Sequence, residues 1–173
     1  MTTNNLEFET ERLLLRPTGT EDAAFIFKLM NTPKWLAYIG DRKIESEATA
    51  AAYIKERMLP QLERLGFSNY TCVRKVDGEK LGSCGLYDRE GLEGVDIGFA
   101  FLPEHEGKGY AYEGSNRIME AGIQKFNIEK ISGITVLENK GSQRLLEKLG
   151  LTFQKMIRLP NDDEELMLYQ WTK

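Results

Sequence analysis

The chain has 173 residues, of which 41% are hydrophobic, and carries 23 Lys plus Arg against 27 Asp plus Glu. That is length and apolar content enough for one compact domain with its own core, and a net charge of −4 gives no general attraction to nucleic acid or an anionic membrane. Cys72 and Cys84 form neither a CxxC redox pair nor a disulfide framework, and the single histidine, His105, is too few for a catalytic zinc site.

The first strand is predicted at Arg12-Leu13-Leu14-Leu15-Arg16, stopped by Pro17. Thr18 and Thr20 are alternative caps for a helix opening with Glu21 and Asp22, whose charges suit the positive helix end. Ala24, Phe25, Leu29 and Met30 recur at helical spacing until Pro33 breaks the pattern. A second helix is expected from Ser46 to Leu65, with Gly66 as its stop and Pro60 as a point of kinking or division.

From Phe67 the period changes. Phe67 to Lys75 and Leu81 to Tyr87 read as a hairpin around Asp77-Gly78. A turn at Gly91 and Gly94 leads to a strand from Val95 to Phe101, which Pro103 ends. A helix then starts near Gly109, with Ser115, Ile118, Met119, Gly122 and Phe126 on one face. Lys130 to Leu137 is the next strand, and Asn139 to Leu149 a short helix stopped by Gly150. The strands Thr152 to Arg158 and Glu165 to Trp171 flank the turn Pro160-Asn161-Asp162. The order βαα, three strands, αβαββ predicts an α/β fold of the mixed α+β kind, a mixed sheet covered by helices. No linker divides it, so residues 1–173 are expected to form a single domain. With neither a membrane-length apolar run nor a signal-peptide pattern at Met1 to Glu9, a soluble, cytoplasmic protein is expected.

The most informative stretch is Gly107-Lys108-Gly109-Tyr110-Ala111, where a predicted strand hands over to a predicted helix. Glycines let backbone approach a ligand, and the free N–H groups of a first helical turn can cradle a pyrophosphate. Lys108 is placed to assist at the rim. Two better-known phosphate motifs are disfavoured. A P-loop needs Ser or Thr after Lys108, and the dinucleotide fingerprint needs a third Gly or Ala where Tyr112 stands. His105-Glu106 is no zinc motif either, because Gly109 occupies the second histidine position.

With these residues the sequence resembles the GNAT superfamily of N-acetyltransferases. Glu106-Gly107-Lys108-Gly109-Tyr110-Ala111 matches its coenzyme loop, [Gln/Arg]-x-x-Gly-x-[Gly/Ala], from the third position onward. Three further stretches look like the ribosomal-protein N-terminal (alanine/serine) acetyltransferase branch. They are Thr10-Glu11-Arg12-Leu13-Leu14-Leu15-Arg16, Gly107 to Ala111 followed by Glu113, and Asn139-Lys140-Gly141-Ser142 followed by Leu145 to Leu151. There are two departures: Glu106 stands where Gln or Arg is usual, and Leu151 where Phe is.

The resemblance implies a GNAT-like fold with a splayed coenzyme cleft, and acetyl-CoA as cosubstrate without a metal. Backbone N–H groups from Gly107 through Lys108, Gly109, Tyr110 and Ala111 would hold its pyrophosphate. Pantetheine would lie between the strands Val95 to Phe101 and Lys130 to Leu137, with a main-chain N–H near Phe99 as oxyanion donor. Asp96 is the leading candidate base, directly or through water; the alternative is that it only orients a backbone or substrate group. Asn139 suits a helix cap, a pantetheine-positioning role, or both. Ser142 either serves the leaving thiolate or satisfies a backbone carbonyl. Arg144 reaches a coenzyme phosphate or is an ordinary surface arginine.

Glu113 is read as structural, bridging the loop to its neighbours, and His105 as a solvated turn residue. Cys84 is read as a small buried residue. Trp35, Tyr38 and Phe27 are assigned to the acceptor wall or to core packing, and Glu106 is expected to point to solvent. Three functions are carried forward: acetylation of a protein N-terminus such as a ribosomal protein's, acetylation of a small amine, and a noncatalytic acyl-CoA-binding sensor; a fourth, binding of a phosphate compound other than CoA, requires the strand–loop–helix assignment to be wrong. A monomer or homodimer is expected, with an amine acceptor as partner and no direct nucleic-acid or membrane contact.

Overall fold

The computed structural model describes residues 6–173. One eight-stranded sheet runs through it in the order β1-β2-β3-β4-β5-β6-β8-β7. The strands are β1 (Phe8–Glu9), β2 (Leu13–Pro17), β3 (Asn69–Arg74), β4 (Lys80–Tyr87), β5 (Val95–Phe101), β6 (Lys130–Thr135), β7 (Thr152–Ile157) and β8 (Leu166–Thr172). The helices are α1 (Ala23–Leu29), α2 (Pro33–Tyr38), α3 (Glu47–Tyr53), α4 (Leu59–Leu65), α5 (Tyr110–Gln124) and α6 (Lys140–Lys148). Every neighbouring pair of strands is antiparallel except β5 and β6, which are parallel. The expected mixed sheet covered by helices is what forms.

Strand alternation divides the core in two. On one face Tyr70, Cys72, Cys84, Leu86, Ile97 and Phe101 pack with Ile118 and Met119 of α5. The other face takes α1, α3 and the segment after it through Phe25, Ile26, Leu29, Ile54 and Met58. Cys72 and Cys84 are free thiols buried in the first core, their sulfurs 3.5 Å apart, as the reading of Cys84 as a small core residue expected. Ser115, Ile118, Met119 and Gly122 form the buried face of α5, while Phe126 lies beyond its end against Phe8 and Phe67.

Four features differ from the sequence reading. Pro33 does not merely break a pattern; it starts α2, after Thr32 caps it by accepting the Trp35 N–H at 3.4 Å. Proline suits that position because its missing N–H would be unpaired anyway. Neither Thr18 nor Thr20 caps the first helical segment. Thr18 is buried against Thr71 and Asn69, and Asp22 instead takes the Gly19 N–H at 3.0 Å. The long second helix is interrupted by a π-helical stretch, Ile54–Met58, before α4 brings Pro60 into its first turn. β1 has no counterpart in the sequence reading. Among the described residues, no helix is long and apolar enough to cross a membrane.

Candidate active site

The cleft lies where the sheet loses continuity. β5 and β6 are in register only at Val95↔Ile131 and Asp96↔Ser132, although β5 continues to Phe101 and β6 to Thr135. Main-chain polar groups of residues 97–101 that point toward β6 have no ladder partner there and face the gap. A cavity of 760 Å³ occupies it. Gly107, Gly109 and Tyr110 line one end, Tyr87, Arg89 and Asp96 the other, and Ser142 lines it as well. Along β5, Asp96 and Phe101 are separated by roughly 16 Å at the usual rise of an extended strand.

The loop end is built from backbone. After a single 3-10 turn at Pro103–His105, Gly107 takes φ 74° and Gly109 φ 83°, a left-handed region that a Cβ disfavours. The first N–H of α5 to meet a backbone acceptor is that of Glu113, on the Gly109 carbonyl at 3.0 Å. Those from Gly107 to Tyr112 have none among the described residues. Successive free N–H groups at a helix N-terminus form a concavity suited to an anion. The residues present therefore fit a pyrophosphate without a cationic side chain.

Lys108 and Arg144 do not bring their side chains to this cavity. Lys108 Nζ turns back to the Glu104 carbonyl at 3.4 Å. Arg144 is exposed on the outer face of α6, whose inner face carries Ser142, Leu145 and Leu146. Asn139 caps α6, its Oδ1 accepting the Ser142 N–H at 3.2 Å. Both residues line the cavity, as do Phe99 and Ala111.

At the other end, Asp96 is 1% exposed. Its Oδ2 accepts a hydrogen bond from Arg89 Nε at 3.1 Å, while Oδ1 is buried with no partner among the described residues. Burial raises the carboxyl above its ordinary pKa against the opposing Arg89 charge. Tyr87 stands directly across from Asp96 on β4, and its hydroxyl donates to Asn69 Oδ1. Gly98 shares the Asp96 face by strand alternation, and a Cβ there would lie 2.8 Å from the Tyr87 ring, which favours glycine. Arg89 and Tyr87 escaped the sequence reading. The available signal was the hairpin register, which sets the last residue of β4 opposite Asp96.

One expectation about flanking residues is corrected: His105 is buried rather than solvated, with Nε2 3.2 Å from Glu79 Oε1 and Nδ1 unpartnered among the described residues. Glu106 is exposed, as expected, and its carboxylate also accepts from Lys34 Nζ of α2 at 2.9 Å, so the departure from the usual Gln or Arg is matched by a cation. Trp35 and Tyr38 line the cavity, whereas Phe27 packs in the second core. Glu113 has the bridging role expected of it, holding Thr10 and Arg12. No group of three or more metal-ligating side chains occurs among the described residues.

The family model described as acetyltransferase (GNAT) domain matches residues 12–152. The N-acetyltransferase YoaA of Bacillus subtilis, itself uncharacterized, is 26% identical over 151 residues, which is 87% of this chain and 85% of that protein. Among solved structures, RimL, a ribosomal L7/L12 α-N-protein acetyltransferase in complex with coenzyme A, superposes with a TM-score of 0.79. It is 15% identical, over 94% of this chain and 95% of that one. The microcin C7 self-immunity acetyltransferase MccE, in complex with acetyl-CoA and AMP, also gives 0.79 at 13% identity, over 95% and 94%.

Proposed function

The chain belongs to the GNAT acetyltransferase family and is an acetyl-CoA-dependent N-acetyltransferase; from that premise we propose that it acetylates a primary amine entering at the Asp96 end of the cleft. The observation that carries this reading is the arrangement of one cavity, with the free N–H groups at one end and the unpartnered Asp96 Oδ1 at the other.

Acetyl-CoA supplies the activated acetyl thioester. Main-chain N–H groups from Gly107 to Ala111 hold its pyrophosphate, and the unpaired edge of β5 near Phe99 offers an oxyanion donor. Asp96 takes the ammonium proton, directly or through water, and its raised pKa brings it nearer the range useful to a base. Ser142 presents its hydroxyl to the departing sulfur. Asn139 sets the position of that serine through the α6 cap.

For the acceptor, a protein N-terminus such as a ribosomal protein's is the first reading. Arg42, Arg57, Asp162 and Glu164 line the cavity and are all exposed, so the cleft opens to the surface beside charged side chains of both signs, which suits a chain end. The likeness to RimL supports it. The likeness to MccE supports a second reading, a small-molecule amine. Turnover of acetyl-CoA against N-terminal peptides, amino sugars, polyamines and aminoglycosides decides between them. Turnover confined to small amines would overturn the first reading, and absence of acetyl-CoA binding would remove both.

A further inference from the structure

We propose that Arg42 and Arg57 form an anion-binding subsite, so that the preferred acceptor carries a carboxylate or phosphate in addition to its primary amine. This rests on the reading of the Asp96 end as the acceptor end.

Most other arginines in this chain are occupied. Arg12, Arg16, Arg64, Arg74, Arg89 and Arg158 are in ion pairs, and Arg117 donates to the Glu9 carbonyl. Arg42, Arg57 and Arg144 have no polar partner among the described residues, and Arg42 and Arg57 line the same cavity. The other charges of that cavity are mostly cancelled: Lys34 by Glu106, Arg89 by Asp96, Asp88 by Arg64. Asp162 and Glu164 face from the turn between β7 and β8, but neither forms an ion pair with either arginine, and Asp162 is engaged by the Glu164 N–H at 3.0 Å. The two guanidiniums are thus free to meet an anion, with the two carboxylates of that turn as the only unpaired acidic groups among the described residues that line the cavity.

The position of Arg57 is fixed relative to the candidate base. One turn before Arg57, Tyr53 also lines the cavity; one turn after it, Gln61 donates to the Leu86 carbonyl at 2.8 Å and accepts the Asp88 N–H at 3.1 Å. Those bonds clamp the helical segment to the end of β4, where Tyr87 stands opposite Asp96. Arg57 belongs to the π-helical stretch, a rare widened turn frequent at functional sites. Arg42 follows α2, whose Trp35 and Tyr38 continue the same wall. Guanidinium groups bind carboxylate and phosphate through paired N–H donors. An amine held at Asp96 would leave an anionic group on the same acceptor within the field of both arginines.

The test uses two matched acceptor pairs with the full chain: glucosamine 6-phosphate against glucosamine, and a serine-initiated peptide with Glu at its second to fourth positions against its Gln counterpart. In at least one pair, kcat/KM should favour the anionic member tenfold or more, less so as salt rises. Whichever pair shows it identifies a small molecule or a peptide as the source of the anion. The R42Q/R57Q double variant, altered only at exposed side chains, should erase the preference through KM and leave acetyl-CoA affinity unchanged. No preference in either pair, or one that survives the double substitution, overturns the proposal. If neither pair is acetylated, calorimetry of both anionic compounds on the acetyl-CoA-loaded protein decides. No binding, or binding equal in R42Q/R57Q, also overturns it. Loss of acetyl-CoA binding by the unaltered protein would instead mark failure of the underlying function.

Discussion

Glu113 and Arg12, far apart in sequence, are joined at two points: the Arg12 main-chain N–H donates to Oε2 at 3.0 Å and its Nε to Oε1 at 2.8 Å. The Thr10 hydroxyl donates to the same carboxylate, and the Arg12 guanidinium lies 4.2 Å over the ring of Tyr110, the first residue of α5. The helix that presents the free N–H groups is thereby anchored to the start of β2. Two of the stretches that carry the family resemblance, Thr10 to Arg16 and Gly107 to Glu113, are two halves of one contact. Glu113→Gln keeps one acceptor but removes the charge, and should cost about 1–2 kcal/mol in urea denaturation. Acetyl-CoA affinity should fall several-fold as the first turn loosens; an unchanged affinity would mean that the anchor does not govern the loop.

Gly107 and Gly109 hold left-handed backbone that an alanine adopts only at a cost of about 1 kcal/mol or more. Space is not the obstacle at Gly107, where an added Cβ would meet nothing within 4 Å, so backbone conformation alone is tested there. Gly107→Ala should lower stability by about that amount and weaken acetyl-CoA binding at least tenfold, measured by calorimetry. Full affinity in a folded variant would put the pyrophosphate elsewhere.

Much of this loop was legible in the sequence, because a strand ended by Pro103 and a helix opened by two glycines are both local signals. β5 begins and ends where the alternation placed it, and the Asn139 cap was readable from its position before α6. Pairings across long separations were not legible. Nothing near Glu106 announces Lys34, and nothing near His105 announces that Glu79 lies beside it. The π-helical stretch was hidden as well, since Ser46 to Leu65 carries a continuous helical pattern and only Pro60 hints at a change. Of the two readings open for Arg144, its exposed place on α6, two residues from Ser142 and so on a different face, favours the surface arginine.

Lys34 and Glu106 offer a test of the loop's electrostatics. The pair is partly exposed, so its contribution to stability should be under about 1 kcal/mol. Lys34→Ala would leave the Glu106 carboxylate uncompensated beside the bound pyrophosphate. Acetyl-CoA affinity should then drop, most at low salt, and Glu106→Gln in the same background should restore it. Equal affinity of Lys34→Ala and wild type at low salt would show that Glu106 stays remote from the phosphates.

Asp22 provides a pH signature of the fold. Burial alone would raise its carboxyl, but hydrogen bonds from Arg16 and Lys80 overcome this and hold it down to about 2. A folded pKa below the unfolded one contributes stability above the ordinary carboxylate range, lost as pH falls through about 2. Asp22→Asn should therefore be destabilised by about 2 kcal/mol at neutral pH. The gap to wild type should narrow below about pH 4. A gap independent of pH would assign the loss to packing rather than to charge.

Asp96 and Ser142 are proposed to divide the proton transfers, and the structure makes their variants interpretable. Asp96→Asn retains an oxygen able to accept from Arg89 Nε, so the fold around it should survive while the base is lost. kcat/KM should fall by about 10²- to 10⁴-fold and recover partly at higher pH, where more of the acceptor amine is already neutral. Arg89 opposes the upward push of burial on the Asp96 carboxyl. Arg89→Gln should therefore raise that pKa further and move the acidic limb of the pH–rate profile to higher pH, which a merely structural arginine would not do. Ser142→Ala should slow transfer with little change in acetyl-CoA affinity, because its hydroxyl has no hydrogen-bond partner among the described residues and its N–H keeps the Asn139 cap. A thiolate leaves readily without help, so a two- to threefold effect would make Ser142 an orienting group. The decisive comparison is the acidic limb across wild type, Asp96→Asn and Arg89→Gln. If it stays in place in all three, Asp96 is not the base, and the proton leaves through water or another carboxylate.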